Sequence, residues 1–323
     1  GQAGGRAVQL ALVPILTRAL TPGAFGVSEL VVGYAQTAVL ILVLGMDGAL
    51  ARFFYQEPDR EARIRMVSSS LVFRLLTSGA VSLALVALSG PLASFFVGGG
   101  VYRKYLIIGA LNLPFTLLVM FANDVLRVTL QPWKYIAVNI VQTVLVTSLS
   151  IGFVILGGKG VAGVLYGRFA GDACAAVVGL VLARHSLAPR FSRATLRRML
   201  HYGIPSVPAA FAFGAIAGID RFMLQRTRSL EELAVYAVAW RFFTVITFAA
   251  SAFQLAYGPF AYARASSPDA PRLYARVLLV YVGIGSLGAL LVSAFVPEAL
   301  HVLPGSYRGA ALPALFLSFA AVA

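Results

Sequence analysis

Apolar runs of roughly twenty residues, separated by short polar segments rich in arginine, fill this sequence. Ten can be read, over 3–20, 25–50, 66–89, 104–126, 135–157, 160–183, 203–224, 233–258, 274–297 and 308–323. A helix needs about 20 such residues to cross a bilayer core of about 30 Å at 1.5 Å per residue. The last run is too short, and the chain starts and stops inside apolar segments, so a piece of a longer protein is expected. The loops are short, which leaves no room for a separate soluble domain.

The stretch Leu16–Gln56 shows the pattern most clearly. A helix is expected to end at Thr17-Arg18, and Thr21-Pro22-Gly23 to turn the backbone. A continuous apolar span then runs from Phe25 to Ala49 and leaves the membrane at Ala51-Arg52-Phe53-Phe54-Tyr55, an arginine among aromatics suited to the interface. The design recurs about 208 residues later: Leu224-Gln225-Arg226 falls on Leu16-Thr17-Arg18, Ser229 on Thr21, and Leu233-Ala234-Val235 on Phe25-Gly26-Val27. An internal two-fold repeat among membrane spans points to a transporter.

Composition sharpens this reading. Hydrophobic residues make up 59% and charged residues 12%, with mean hydropathy +0.86. Soluble domains carry about a quarter charged residues, so the expected class is an all-α polytopic membrane protein. The formal charge of +14 is spread over the ends of apolar runs, which argues for topology and against nucleic-acid binding. Counting Arg and Lys, the N-terminal segment with Arg6 and the loops after even-numbered spans hold 15, against 8 after odd-numbered spans. The N-terminus and the even loops are therefore expected in the cytoplasm. The one cysteine, Cys174, excludes an intramolecular disulfide.

The basic loop from Arg184 to Tyr202 divides the chain. The expected organisation is an N-terminal six-helix lobe at 1–184, a cytoplasmic linker at 185–202 and a C-terminal lobe at 203–323. Leu196, Met199 and Leu200 fall at helical spacing between arginines, which predicts a short amphipathic helix on the membrane surface. Asn112 and Pro114 interrupt the fourth span, and Pro205 and Pro208 open the seventh. Gly214 and Gly218 form a GxxxG packing pair.

Catalytic patterns are missing. His185, His201 and His301 lie in loops or at span ends, and no metal-ligating, phosphate-loop or nucleophile-elbow motif is present. Gly98-Gly99-Gly100 lacks the strand–helix setting of a nucleotide fingerprint. No enzyme, cofactor or metal site is expected. The informative residues are ionisable groups within spans, which are costly in lipid and face a cavity or a partner. Arg74 lies in the third span and Arg241 in the eighth, beside Trp240, Phe242 and Phe243. Arg168 and Asp172 share a face at i and i+4 and can pair. Asp47 and Asp220-Arg221 lie nearer span ends, and Arg18, Arg52 and Arg221 either face a cavity or snorkel to headgroups. Arginines in a cavity imply an anionic cargo, because the guanidinium fork matches phosphate oxygens and keeps its charge.

Four segments carry a family resemblance: LTRALTPGAFGVSEL from Leu16, the ARFFYQE span exit, Asn123–Leu145 and His201–Leu224. They resemble the oligosaccharide flippase family, polysaccharide-biosynthesis membrane proteins of the multidrug/oligosaccharidyl-lipid/polysaccharide exporter superfamily. The resemblance implies two pseudo-symmetric helical bundles around a central cavity, with about ten spans here of an expected twelve or more. It implies movement of an undecaprenyl-diphosphate-linked saccharide to the outer leaflet of the bacterial inner membrane, in the setting of lipopolysaccharide or O-antigen synthesis. The lipid diphosphate would be held by Arg18, Arg52 and Arg241, with Arg74 and Arg168 in support. Asp47, Asp172 and Asp220 would pair with arginines between states or carry a coupling proton or sodium ion. Polymerases or glycosyltransferases are the implied partners. The competing readings are a cation-coupled small-molecule exporter of the same superfamily and a non-transporting scaffold of a cell-envelope synthesis complex.

Overall fold

The computed structural model describes residues 12–96, 102–264 and 269–321. Arg6 and the Gly98-Gly99-Gly100 loop lie outside these residues. Every regular element among the described residues is helical: α1 (12–19), α2 (Pro22–Leu42), α3 (Met46–Gln56), α4 (Arg60–Ala87), α5 (Ser89–Phe96), α6 (Arg103–Val128) and α7 (Pro132–Ile151). They continue as α8 (Gly160–Ala183), α9 (Arg193–Gly203), α10 (Val207–Thr227), α11 (Leu230–Arg264), α12 (Ala270–Leu300) and α13 (Ala311–Ala320). Six described helical segments are long and apolar enough to cross a membrane. The all-α polytopic class is borne out.

The repeat reappears in the helix limits. The starts of α2 at Pro22 and α11 at Leu230 keep the 208-residue offset. The expected turn at Thr21-Pro22-Gly23 is shorter than its sequence suggests. Pro22 opens α2, where its missing N–H costs nothing, and the Thr21 hydroxyl accepts from Ala24 N at 3.3 Å.

The span expected to run unbroken from Phe25 to Ala49 is interrupted. Leu44 and Gly45 adopt positive φ, 49° and 66°, ending α2 and restarting the chain as α3. A Cβ on Gly45 would lie 2.4 Å from Ser206 Oγ and 2.6 Å from Gly203 O, so glycine alone admits both the φ and the approach. Asp47 then falls in the first turn of α3, exposed, where the helix dipole favours an acid.

Grouped by contact, the chain forms two compact units, one built from Val27–Ser229 and the other from Val13–Gly26 with Leu230–Ala323. This grouping differs from the lobes expected at 1–184 and 203–323, which remain a proposal about pseudo-symmetry. In the first unit, α8 packs most extensively on α7 and α6. A glycine stripe explains the closeness. Cβ atoms on Gly167 and Gly171 would come within 2.3 Å and 2.6 Å of α7 backbone nitrogens, of Ser150 and Val146 respectively.

Helix α4 shows how lipid inverts the usual burial pattern. Ser70, Arg74, Ser78 and Ser82 recur every fourth residue and are buried, while Leu75, Leu76 and Leu83 are exposed. Ser82 Oγ donates to Ala110 O on α6 at 2.8 Å. In hydrocarbon the leucines lose nothing by facing outward, and Arg74 and Ser82 gain partners on α6 by facing in.

The linker helix α9 starts at Ser192, whose hydroxyl accepts from Thr195 N at 3.2 Å. Its apolar stripe does not lie on lipid. Met199 is fully buried with Met46, Leu50, Phe53 and Met66, and Leu196 and Leu200 pack alongside. The segment leading into α9 is tied to α4 by Ala188 N to Ser68 Oγ and Ser192 N to Ser69 Oγ. The amphipathic pattern is legible in the sequence; its apolar face is covered by protein because α3, α4 and α6 present an apolar cluster beneath it.

In the second unit Phe25 meets Tyr307 edge to face at 6.1 Å. Tyr307 is fully buried, and burial pushes its phenol up to about 12. The exposed faces of α12, with Leu278, Leu279, Ile284 and Phe295, suit contact with lipid.

Candidate functional site

Two polar clusters occupy the interior of the first unit. The larger surrounds Asp172, in the middle of α8 and 1% exposed. Its Oδ2 accepts from Asn112 Nδ2 at 2.9 Å and Thr116 Oγ1 at 3.0 Å, one turn apart on α6. Its Oδ1 accepts from Gln142 Nε2 on α7 at 2.8 Å. The glycine stripe makes this possible, since it draws α7 close enough for Gln142 to reach across. Arg168, the partner expected from helix spacing, is further away, with Nε 3.9 Å from Oδ2 and its side chain 28% exposed. The pair exists, but neutral donors on neighbouring helices dominate the carboxylate's surroundings. Asn112 Oδ1, on the other arm of the amide that donates to the carboxylate, is buried and has no protein partner.

The smaller cluster holds Arg74, whose side chain is fully buried. Its Nη2 donates to Asp124 Oδ2 at 2.8 Å, and its guanidinium lies 5.6 Å from the Phe121 ring. Arg127, largely exposed, pairs with the other oxygen of Asp124. Arg74 Nε and Nη1 have no protein acceptor. Asn123-Asp124 is visible in the sequence as an interruption near the end of the fourth span. Its pairing with Arg74 is not, because the two residues are distant along the chain.

Arg52 takes a third kind of setting. It leaves α3 at the surface and stacks on Tyr202, with its Cζ 4.6 Å from the ring centroid. It lines an open groove of about 830 Å³ with Phe53, Arg197, Arg198, His201 and Tyr202.

In the second unit, Arg18 Nη2 donates to Val302 O at 2.7 Å, just past the end of α12, where a cation complements free carbonyls. Arg241 is half-buried on α11, next to Trp240, whose ring lies 4.5 Å from that of Phe243. In the first unit, Asp220 is half-buried on α10, and its Oδ1 accepts from Arg221 N at 2.7 Å. Of the sequence-derived candidates, the structure brings Arg168 and Asp172 together. It gives Arg74 an acidic partner, Arg52 an aromatic ring and Arg18 a backbone carbonyl. Among the described residues no cluster of three or more His, Cys, Asp or Glu could hold a metal ion.

Residues 15–281 match the family model described as Polysaccharide biosynthesis protein. The chain belongs to that family. No individual curated protein matches it. Among solved structures, it is similar to a multidrug resistance MATE family transporter of the MOP superfamily in an inward-facing conformation. That match has a TM-score of 0.75 at 15% identity, covering 97% of this chain and 76% of the other. A MATE structure in the straight conformation matches with a TM-score of 0.62 at 14% identity, covering 98% and 79%. A MOP superfamily transporter from Pyrococcus furiosus, described as having a binding pocket of reverse polarity, matches with a TM-score of 0.51 at 16% identity, covering 98% and 90%. At such identities the likeness establishes the fold. This family member is a multi-pass membrane protein whose fold is similar to that of the MATE structures.

Proposed function

We propose that this protein moves an undecaprenyl-diphosphate-linked saccharide across the bacterial inner membrane by alternating access, without covalent chemistry of its own. The observation that carries the reading is a polysaccharide-biosynthesis family match over 15–281 on a transporter fold. The basic balance of the chain, +14, supports an anionic cargo. Arg18, Arg52 and Arg241 are the proposed diphosphate ligands, with Arg168 in support; Arg74, whose side chain is fully buried against Asp124, is given a helix-packing role instead. Asp172 is the best-furnished candidate for a coupling proton or sodium ion, because its carboxylate is buried within a span and meets the polar side chains of Asn112, Thr116 and Gln142. Asp47 and Asp220 are secondary candidates. The lipid-linked oligosaccharide is the proposed partner, with polymerases or glycosyltransferases acting on the same material. A multidrug-type exporter is the second reading, favoured by the Asp172 cluster and by the likeness, at a TM-score of 0.75, to a multidrug resistance MATE family transporter. A non-transporting scaffold is the third.

Complementation of a strain that lacks surface polysaccharide separates these readings. Arg241→Lys keeps the charge and loses the bidentate fork, so partial polysaccharide is expected; Arg241→Ala should give none, at normal protein level. Full polysaccharide from Arg241→Ala would remove this residue from the site. The proposed cytoplasmic N-terminus and 185–202 linker predict that a cysteine at Ser192, in a chain without Cys174, resists impermeant thiol reagents in intact cells. Ready labelling from outside would reverse the orientation.

A further inference from the structure

The groove between α3 and α9 combines features of which the proposed transport cycle uses only Arg52. Arg52, Arg197, Arg198 and His201 converge on it, with Phe53 and Tyr202. Two of its arginines are held by stacking. Arg52 Cζ lies 4.6 Å from the Tyr202 ring centroid and Arg198 Cζ 4.4 Å from that of Phe53. The two rings meet edge to face at 5.6 Å. Among the described residues, Arg52, Arg197 and Arg198 form no ion pair and donate no hydrogen bond to protein, whereas nearby Arg190 is paired with Glu61 at 2.7 Å.

Stacking fixes a guanidinium by its face and leaves its edge donors for another acceptor. Like charges gathered around one groove repel one another, and a bound anion relieves that repulsion. The elements that form the groove also carry interfacial residues. Tyr55, three residues beyond Arg52, is 58% exposed, and Phe191, just before α9, is 53% exposed. Aromatic side chains of this kind mark headgroup depth.

We infer that this groove binds the phosphoryl headgroup of a membrane lipid, with Arg197, Arg198 and Arg52 supplying donors to its oxygens. The site goes beyond the proposed transport function: it needs neither a saccharide nor a transport cycle, and its test reads binding alone.

The purified full chain in a maltoside detergent, which carries no phosphate, is examined by native mass spectrometry. Three probes are added separately: a polyprenyl phosphate, phosphatidylglycerol and inorganic pyrophosphate. At least one should bind, and R197Q/R198Q should weaken that binding about tenfold, as expected for loss of charge-assisted hydrogen bonds. R197K/R198K should retain part of it, and unchanged melting of both variants shows that α9 remains folded. Arg193→Gln removes a charge from the same helix outside the groove and should leave binding within about twofold, as expected for an exposed charge that makes no contact with the ligand. Preference for the polyprenyl phosphate assigns the site to carrier lipid, and preference for phosphatidylglycerol assigns it to bulk anionic lipid. Binding of pyrophosphate alone shows a phosphoryl site without lipid dependence and overturns the lipid assignment. Binding of none of the three, equal loss in R193Q, or full binding by R197Q/R198Q overturns the groove.

Discussion

Arg74 and Arg52 belong to the same compact unit and meet opposite conditions. Arg74 is sealed between α4 and α6 against Asp124, with Phe121 across its face. Arg52 opens onto a groove, with aromatic rings beneath its guanidinium and further arginines around it. A buried cation without a counter-charge is costly in a low dielectric, so the interior arginine is matched to an acid. At the surface, water and headgroups can supply the missing acceptor, and stacking suffices to hold the side chain. The contrast separates arginines that hold helices together from arginines that are available to a ligand.

The sharpest way to break the comparison is to remove the buried partner of Asp124, leaving it only the largely exposed Arg127. Arg74→Met should destabilise the first unit by about 3–5 kcal/mol, the usual result of removing one partner from a buried pair. Arg74→Met with Asp124→Leu should recover part of the loss. Melting of the purified protein and the amount reaching the membrane check this; a wild-type melting curve for Arg74→Met would show that the pair contributes nothing to stability.

The Asp172 cluster provides a second test, somewhat smaller in effect. Asp172→Leu leaves Asn112, Thr116 and Gln142 without their shared acceptor and should cost about 2–3 kcal/mol. Arg168→Gln should cost less than about 1 kcal/mol, because the partially exposed guanidinium stands 3.9 Å away. Helix spacing alone predicts that the two residues depend on each other. The three-helix donor set predicts that Asp172 matters far more. Equal losses from the two variants would restore the simple pair.

The smallest effect is expected at Arg190. Its contact with Glu61 is short, yet the side chains are 53% and 63% exposed, and such pairs contribute on the order of 0.5 kcal/mol. Arg190→Gln should leave melting almost unchanged. A loss as large as that of Arg74→Met would erase the distinction between surface and interior arginines.

These residues also mark how far the sequence can be read. Arg168 and Asp172 are legible as neighbours because four residues make one turn of the same helix. The basic linker helix is legible from Leu196, Met199 and Leu200, and helix limits at Pro22 and Leu230 follow from the internal repeat. The break at Val43–Gly45 is hidden within an uninterrupted apolar run. Only the approach of Gly203 and Ser206 gives Gly45 its meaning. Likewise Gly163, Gly167 and Gly171 stand at fourfold spacing in the sequence, a signal as good as Gly214 and Gly218 that the apolar pattern overshadows.

The sequence by itself determined a helical membrane protein, its family and the identity of its charged residues, since span length, turn chemistry and helix periodicity are local properties of the chain. Tertiary structure decided which charge meets which. Asp124 finds Arg74, Asp172 gathers donors from α6 and α7, and Arg52 comes to rest on Tyr202. Each of those meetings joins residues far apart in sequence. Each depends on how closely two helices approach, a distance set by the small residues and apolar surfaces that pack between them.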